Sequence, residues 1–319
     1  MILITQKINL EAQNKDYSKN YLIAVVQGLF VTVLWSSSWL LIKWGLEDEN
    51  IPPLIFSGLR YFFASIVLLA YFLIRSDSKK ELVKLTYSDL RNILVYGLFF
   101  ITFTQGGMFL SLFFLEAITV SLILNFTIIA VIALSLIFLK ETINKFQLSF
   151  VGIALIGVIF YFDDKLSLEF EIIGLIIAIL AMFANAGSSI LGRSINRTKK
   201  IGVLLVTTLS MLFGSIVLLF IALLSEKFPI FSLTSVIYIL WLSVVNTALA
   251  FTIWNKSLQN LRAVDSTLIN STMTPQIVFL SVLFLGEHPN FLDWIGIIMV
   301  ITSVIAIQLN QAKNSNNKS

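Results

Sequence analysis

The chain has 319 residues, of which 57% are hydrophobic and 13% charged, and its mean hydropathy is +0.91. Because a soluble domain carries about 25% charged residues, this composition excludes both a soluble globule and a disordered chain. The absence of cysteine excludes disulfide scaffolds and cysteine nucleophiles, and the single histidine, His288, excludes a multi-histidine metal site. The composition therefore predicts an integral membrane protein without a bound metal.

Taken in chain order, the sequence contains ten continuous apolar runs of helical length. They cover residues 21–44, 54–74, 92–113, 117–139, 146–162, 172–192, 202–224, 236–256, 264–285 and 292–309. A helix needs about 20 apolar residues to cross a bilayer, and the runs lack the period-2 alternation of a membrane barrel. They predict an all-α membrane protein with ten transmembrane helices, flanked by polar tails at 1–20 and 310–319.

The distribution of lysine and arginine predicts the orientation of these spans. With a cytoplasmic N-terminus, 18 of the 22 basic residues fall in cytoplasmic segments, whereas the outer loops hold only Lys165 and Lys227. Lysine and arginine accumulate on the cytoplasmic side of membrane proteins, so we expect both termini to be cytoplasmic and the location to be the cell inner (plasma) membrane. The same distribution argues against nucleic-acid binding, because the basic residues form short collars rather than one continuous patch.

Sequence similarity between the two halves indicates an internal duplication. Two pairs of segments, in the same chain order, share seven of eleven and five of eight residues. The pairs are 59–69 with 209–219 and 134–141 with 280–287. Each half then contains five spans, and since five is odd, the second half enters the membrane from the opposite side. We expect a first five-helix repeat over 21–163 and a second, inverted repeat over 172–309, an architecture that many secondary transporters share.

Several short motifs resemble those of a known family. They are Trp35-Ser-Ser-Ser-Trp-Leu-Leu-Ile-Lys43, Pro52-Pro53 followed by Arg60, Lys140-Glu141, and Gly286-Glu287 followed by Trp294 and Gly296. This ordered set extends over nearly the whole chain and resembles the EamA-type branch of the drug/metabolite transporter superfamily. The resemblance implies ten helices in two inverted halves, and export, or sometimes uptake, of small metabolites such as amino acids and related amphiphiles.

Polar residues inside the spans predict where a substrate binds, because a polar group in hydrocarbon needs a partner or a water-filled cavity. The fourth span and the stretch 270–276 of the ninth span carry several such residues, and Pro275 also frees a backbone carbonyl. We expect a pocket near the midplane, lined by spans 1, 3, 4, 6, 8 and 9. The predicted substrate-binding residues are Trp35, Ser38, Arg60, Gln105, Asn125, Asn185, Asn246, Asn270, Thr274 and Gln276.

The charged residues near the span ends leave more than one role open. Arg60, one to two turns into the second span, either snorkels to the outer headgroups or pairs helices, or it contacts a substrate carboxylate or phosphate at the outer mouth of the pocket. Lys43 is expected to be an interfacial anchor. Glu141 and Glu287 are expected to cap helices or pair with local cations rather than to couple protons.

The absence of certain groups narrows the function. No aspartate or glutamate lies in the middle of a span, whereas an exporter of permanent cations is expected to use a membrane-embedded carboxylate. The sequence also lacks an ATP-binding P-loop, a dinucleotide fingerprint and a Ser-His-acid set with spare members, so we expect no cofactor and no enzyme activity. The predicted function is a secondary transporter, an exporter of small neutral, zwitterionic or weakly anionic metabolites that works by alternating access.

Several alternatives stay open from the sequence. The chain could be a multidrug or cation efflux carrier of the same fold, an intramembrane enzyme, or a receptor or channel. The expected partners are a small-molecule substrate and the lipid bilayer. The sequence does not decide between a proton and a counter-substrate as the coupling partner, nor between a monomer and a homodimer.

Overall fold

A computed structural model describes residues 2–75, 78–83, 85–131, 145–162, 169–197, 201–257, 261 and 269–316. All regular structure in these residues is helical, which confirms the all-α part of the predicted fold class. The helices that form the body of the protein are α1 (Ile2–Glu47), α2 (Pro53–Ile74), α3 (Tyr87–Phe114), α4 (Ala117–Val131), α5 (Lys145–Phe162), α6 (Glu169–Arg197), α7 (Val203–Ser225), α8 (Leu233–Ser257), α9 (Ile269–Phe284) and α10 (Phe291–Asn316). A short helix, Ser78–Val83, follows α2.

Several of the described helices have the length and the apolar surface of membrane spans. Within the described residues, six helices are long and apolar enough to cross a membrane, namely those in α1, α2, α3, α6, α7 and α8. The apolar stretches in α4, α5, α9 and α10 have 10–17 residues; parts of the predicted fourth and ninth spans, 132–139 and 264–268, lie outside the described residues. Large apolar side chains such as Leu180 and Phe220 are more than half exposed, as a lipid-facing surface requires.

Several helices begin at local sequence signals. α2 begins at Pro53, where the missing N–H of proline costs no helical hydrogen bond. α3 begins with a capping box, in which Thr86 and Asp89 each bond the backbone N–H of the other. Residues 2–20, predicted as a polar tail, continue α1 as helix.

The two halves of the chain pack reciprocally. α1 packs against α8 and α9, and α6 packs in the same way against α3 and α4. α2 packs against α7, and α5 against α10. Two π-helical segments also recur, Leu98–Gln105 in α3 and Val244–Leu249 in α8. Besides the α2–α7 and α5–α10 pairs, the halves meet along a seam formed by α1, α3, α4, α6, α8 and α9.

Glycines allow close contact at two helix crossings between the halves, α5 with α10 and α3 with α7. At the crossing of α5 and α10, a Cβ on Gly157 would lie 2.9 Å from the carbonyl oxygen of Gly296, and a Cβ on Gly296 would clash with the carbonyl oxygen of Gly157. At the crossing of α3 and α7, a Cβ on Gly214 would clash with the backbone of Gly97. Small residues stabilise helix pairs in lipid because they allow close van der Waals packing.

Candidate binding cavity

A cavity of 780 Å³ lies at the seam between the halves. Small-molecule sites have volumes of about 300–1,000 Å³, so its size suits a small ligand. The six predicted spans all contribute to it, and α2 joins them. The described lining residues are Trp35, Ser38, Trp39, Arg60, Tyr61, Tyr96, Phe100, Thr104, Gln105, Met108, Ser121, Leu124, Asn125, Asn185, Ser188, Ser189, Gly192, Phe251, Trp254, Asn270, Met273, Thr274 and Ile277.

Most of the residues predicted to bind substrate lie around this cavity. They are Trp35, Ser38, Arg60, Gln105, Asn125, Asn185, Asn270 and Thr274. The other two predicted residues, Asn246 and Gln276, lie outside its lining and join the halves instead. Asn246 is fully buried and donates to the carbonyl oxygen of Leu34. Gln276 accepts a hydrogen bond of 3.0 Å from Ser36.

The cavity opens toward the face at which α2 ends and α7 begins. Ser189 of α6 and Asn270 of α9, which line it on this side, are exposed. On the opposite side, where α2 begins, Ile42 and Phe56 are fully buried in the packed core above the cavity. Arg60 is 4% exposed and lies toward this closed end. The sequence placed it at the outer mouth of the pocket, and the end of the cavity near Arg60 is closed in this structure.

Arg60 is a buried cation that faces the cavity. Its Nε–H donates to Oγ1 of Thr247 at 3.0 Å, and the guanidinium carbon lies 5.2 Å and 5.8 Å from the ring centroids of Tyr61 and Phe109. Nη1 is buried and has no hydrogen-bond partner in the described structure. Beside it, Tyr61 donates its hydroxyl to Gln105 at 2.7 Å. The hydrogen bond to Thr247 joins α2 to α8, which is the helix-pairing role that the sequence left open; a contact with a substrate stays a prediction.

The π-helical segment of α8 positions Thr247, which accepts the hydrogen bond from Arg60. Thr247 donates its hydroxyl to the carbonyl oxygen of Leu242, five residues earlier, at 2.8 Å, so its oxygen remains free to accept from Arg60. In the π-helical segment of α3, Thr104 likewise donates to the carbonyl oxygen of Phe99 at 2.7 Å. Such π-helical turns occur frequently at functional sites. The apolar pattern of the sequence carries no signal for them.

Two asparagines on the cavity wall are held by hydroxyl groups of neighbouring helices. Asn125 of α4 donates to Oγ1 of Thr274 in α9 at 2.5 Å. Asn185 of α6 donates to Oγ1 of Thr127 in α4 at 3.2 Å. A primary amide has two N–H donors and a carbonyl acceptor, so each side chain keeps capacity for a ligand.

Aromatic side chains form one wall of the cavity. Trp35 lies 5.4 Å from both Phe251 and Trp254, measured between ring centroids. Phe100 lies 6.4 Å from Phe251 and stacks on Tyr96 at 5.5 Å. We call these five residues the aromatic wall; the sequence singled out only Trp35. The signal for the others was their spacing of three or four residues, which puts each pair on one helix face.

The lining carries little charge. Among its described residues Arg60 is the only charged one, and none is a carboxylate. Within the part of the chain that the structure describes, no group of three His, Cys, Asp or Glu side chains could hold a metal ion. The cavity can therefore offer a ligand one positive charge, amide and hydroxyl groups, and aromatic faces.

Glu287 caps α4 from the loop that follows α9. It accepts hydrogen bonds from the backbone N–H groups of Ala117 at 2.7 Å and Ile118 at 3.0 Å. Gly286, with a φ of 68°, turns the chain toward α4 in the left-handed conformation that favours glycine. Burial raises the pKa of the Glu287 carboxyl, and the two N–H donors oppose this effect. The prediction that Glu287 caps a helix is confirmed, whereas Glu141 lies outside the described residues.

Glu226 makes the corresponding contact between α7 and α2. It accepts hydrogen bonds from the backbone N–H groups of Leu54 at 3.0 Å and Ile55 at 2.9 Å, and burial raises the pKa of its carboxyl. Lys43, expected to be an interfacial anchor, is 7% exposed and pairs with Glu47 one turn later at 2.7 Å. All of these charges lie at the closed face, outside the cavity lining.

The fold and the sequence have counterparts among known proteins. A solved crystal structure superimposes with a TM-score of 0.63 over 91% of this chain and 98% of its own, at 15% identity, which shows a shared fold. The chain is 24% identical over 291 residues to the probable amino-acid metabolite efflux pump of Escherichia coli K12, covering 88% of this chain and 92% of that one. It is 25% identical over 251 residues to the uncharacterized transporter YoaV of Bacillus subtilis 168, covering 76% and 82%.

The family follows from matches in both halves of the chain. The profile of the EamA-like transporter family matches residues 22–162 and again residues 172–309. These matches cover most of the sequence and confirm the family that the motifs resembled. The chain belongs to the EamA-like transporter family.

Proposed function

We propose that this protein is a secondary transporter that exports small neutral, zwitterionic or weakly anionic metabolites, such as amino acids, by alternating access. The observation that carries the proposal is a cavity between two reciprocally packed halves, open toward one face and closed toward the other. Secondary transporters with inverted repeats bind their substrate near the bilayer midplane, at the interface of the repeats. The cargo then crosses the membrane chemically unchanged.

The proposal includes ten membrane crossings in two inverted five-helix repeats, with both termini in the cytoplasm. Six helices of spanning length support it, with α4, α5, α9 and α10 as the other four crossings. The reciprocal packing and the two π-helical segments support the repeat. With the proposed orientation the cavity opens to the cytoplasm, and we assign this arrangement to the inward-open state in which an exporter loads its cargo.

The charge of the lining supports a cargo that is not a permanent cation. A carrier of cations needs an anionic counter-charge in the membrane, and the described lining contains Arg60 and no carboxylate. A multidrug or cation efflux carrier is therefore disfavoured. The name of the Escherichia coli relative, a probable amino-acid metabolite efflux pump, fits a zwitterionic cargo.

Cysteine accessibility tests the cavity and its sidedness, because the chain contains no cysteine. Asn125→Cys and Asn270→Cys should react with a membrane-impermeant maleimide added to inside-out vesicles. The matched control is Ile176→Cys, since Ile176 is 53% exposed on the apolar surface of α6 and should not react from water. Reaction of positions 125 and 270 only with a lipid-soluble maleimide would contradict the cavity, and reaction only from the outer side would reverse the orientation.

Counterflow in proteoliposomes tests the transport itself. Vesicles loaded with an unlabelled amino acid should accumulate the same labelled amino acid from outside, and an imposed pH gradient should separate proton coupling from exchange. A chemically altered product would favour an enzyme. Electrical conductance at rates above those of carriers would favour a channel.

A further inference from the structure

The guanidinium of Arg60 is incompletely satisfied within the protein. Its side chain lies at the cavity and is 4% exposed, yet its hydrogen bond goes to a neutral hydroxyl, that of Thr247. Among the described residues the buried Nη1 has no hydrogen-bond partner, and the ion pair found there joins Lys43 to Glu47 instead. A buried cation without an anion is unfavourable, and a bound anion would remove this penalty.

The surroundings of Arg60 indicate which kind of anion fits. Thr247 takes up one of the five N–H groups of the guanidinium. The side chain that lines the cavity therefore keeps donors for the oxygens of a planar carboxylate, the anion whose geometry matches a guanidinium group. A second negative charge, as on a phosphate monoester or a dicarboxylate, would find no further cation in the described lining. The aromatic wall offers an apolar surface for the rest of the ligand.

We propose that Arg60 is the anion-binding residue of the cavity, and that it binds the carboxylate of a cargo with a single carboxylate and an apolar body that packs on the aromatic wall. This assignment rests on the proposed function and names the chemical group by which that function selects its cargo. Arg60 is then a specificity-determining residue. The amides of Asn125 and Asn185 hydrogen-bond the remaining polar groups of the cargo.

The experiment measures binding to the purified full-length protein in detergent by calorimetry. The probes are L-phenylalanine and 3-phenylpropanoate, which have a carboxylate, L-phenylalaninamide and 2-phenylethylamine, which lack it, and phenyl phosphate, which has a doubly charged anion. Each is titrated into the wild type, Arg60→Gln and Arg60→Lys. Lys43→Gln is the matched control, because it removes a buried cation outside the lining.

We expect the two carboxylates to bind the wild type more tightly than the amide, the amine and the phosphate. Arg60→Gln should raise their Kd on the order of 10- to 100-fold, as for the loss of a hydrogen bond between charged groups, and Arg60→Lys should restore part of the affinity. The Kd of the amide and the amine should not rise in Arg60→Gln. Lys43→Gln should leave all affinities within about twofold.

Three results would overturn the assignment. The first is that the wild type binds the carboxylates and the amide equally well, and the second is that the Kd of the carboxylates is unchanged in folded Arg60→Gln. The third is that neither carboxylate binds the wild type. Unfolding temperatures without ligand show whether each variant is folded, and Arg60→Lys provides the comparison if Arg60→Gln is not. The counterflow assay separates this from the proposed function. If transport occurs and does not depend on Arg60, the anion site is contradicted and the proposed function stands. If binding depends on Arg60 and no transport occurs, the proposed function is contradicted and the anion site stands.

Discussion

Glu287 and Ala117 are joined by a hydrogen bond of 2.7 Å, in which the backbone N–H at the start of α4 donates to a carboxylate at the end of α9. The contact links the two halves of the chain at the closed face. Glu226 links α7 to α2 in the same way, through the backbone N–H of Leu54. Separation of the halves at this face, which alternating access requires, must break or weaken both contacts. The protonation of these two carboxyls therefore affects the stability of the contacts that close this face.

The first prediction concerns the pH dependence of stability in Glu287→Gln. Because the pKa of Glu287 is raised by burial, the folded protein binds this proton more tightly than the unfolded chain does. The contribution of the group is fully present below its unfolded pKa of about 4.3 and is lost as the pH rises through the folded pKa. Thermal unfolding in detergent, repeated as the pH is raised from about 4, near the ordinary glutamate pKa, should show the wild type losing stability relative to Glu287→Gln.

The neighbours of Glu287 define what else contributes to that profile. Glu116 raises and Lys43 lowers the pKa of the same carboxyl. Glu49 has the opposite sign, because hydrogen bonds from Ser232 and Ser235 lower its pKa, so its contribution is lost as the pH falls. The comparison with Glu287→Gln cancels the contribution of Glu49. A difference that grows in favour of the wild type with rising pH would contradict the prediction.

The second prediction concerns Gly286, which precedes Glu287. Its φ of 68° is strained for a side chain, while an added Cβ would have no atom within 4 Å in the described part of the chain. Gly286→Ala should therefore lower the free energy of unfolding by about 1 kcal/mol through backbone strain alone. Gly286→Asn should recover part of the loss, because asparagine tolerates this conformation. Equal stability of the wild type and Gly286→Ala, measured by thermal unfolding, would show that the turn is not strained.

The third prediction compares two glycines at different environments of the same helix pair. An added Cβ at Gly296 clashes with the backbone of Gly157, whereas an added Cβ at Gly152 meets no atom of the described residues within 4 Å. Gly296→Ala should destabilise the α5–α10 pair by about 1–3 kcal/mol, as overpacking does. Gly152→Ala should be neutral or stabilising, since alanine favours helix by up to about 1 kcal/mol. Similar losses in both variants would mean that the close approach of α5 and α10 is unimportant.

The fourth prediction concerns Thr247, the hydrogen-bond acceptor for Nε of Arg60. Thr247→Val keeps the shape of the side chain and leaves a buried guanidinium N–H unpaired, at a cost of about 1–3 kcal/mol. Thr252→Val is the control, because Thr252 bonds a carbonyl of its own helix, that of Ala248, at 2.7 Å. Thermal unfolding should show a larger loss for Thr247→Val, and a double-mutant cycle with Arg60→Gln should show coupling. Additive losses in that cycle would indicate that the Thr247–Arg60 bond contributes nothing.

Much of the cavity could be predicted from residue type alone. A polar side chain in an apolar run must find a partner or water, and this rule makes Asn125, Asn185 and Asn270 candidates on sequence grounds; all three line the cavity. The same rule does not distinguish a polar side chain that lines the cavity from one that bonds a neighbouring helix. Asn246 and Gln276 satisfy it by bonding α1 instead.

Other features of the cavity depend on how segments that are distant in sequence pack together. The aromatic wall combines residues from α1, α3 and α8, and an aromatic residue in a membrane span equally suits lipid or core. The π-helical turn that sets Thr247 against Arg60 leaves no trace in the apolar pattern. Arg60 itself was open to snorkelling, because its depth and its direction are not encoded by its position in the run.

The sequence by itself determined that this is a helical membrane protein of the EamA-like family, because the hydrocarbon environment requires long apolar helices and the family motifs stand in order along them. Only the tertiary structure decided which polar groups share a cavity, which face of the protein is closed, and that the guanidinium of Arg60 is buried with no carboxylate beside it among the described residues. The physical reason is that the composition of a helix specifies which side chains must be kept from water, whereas the packing of helices distant in sequence decides which groups surround each of those side chains.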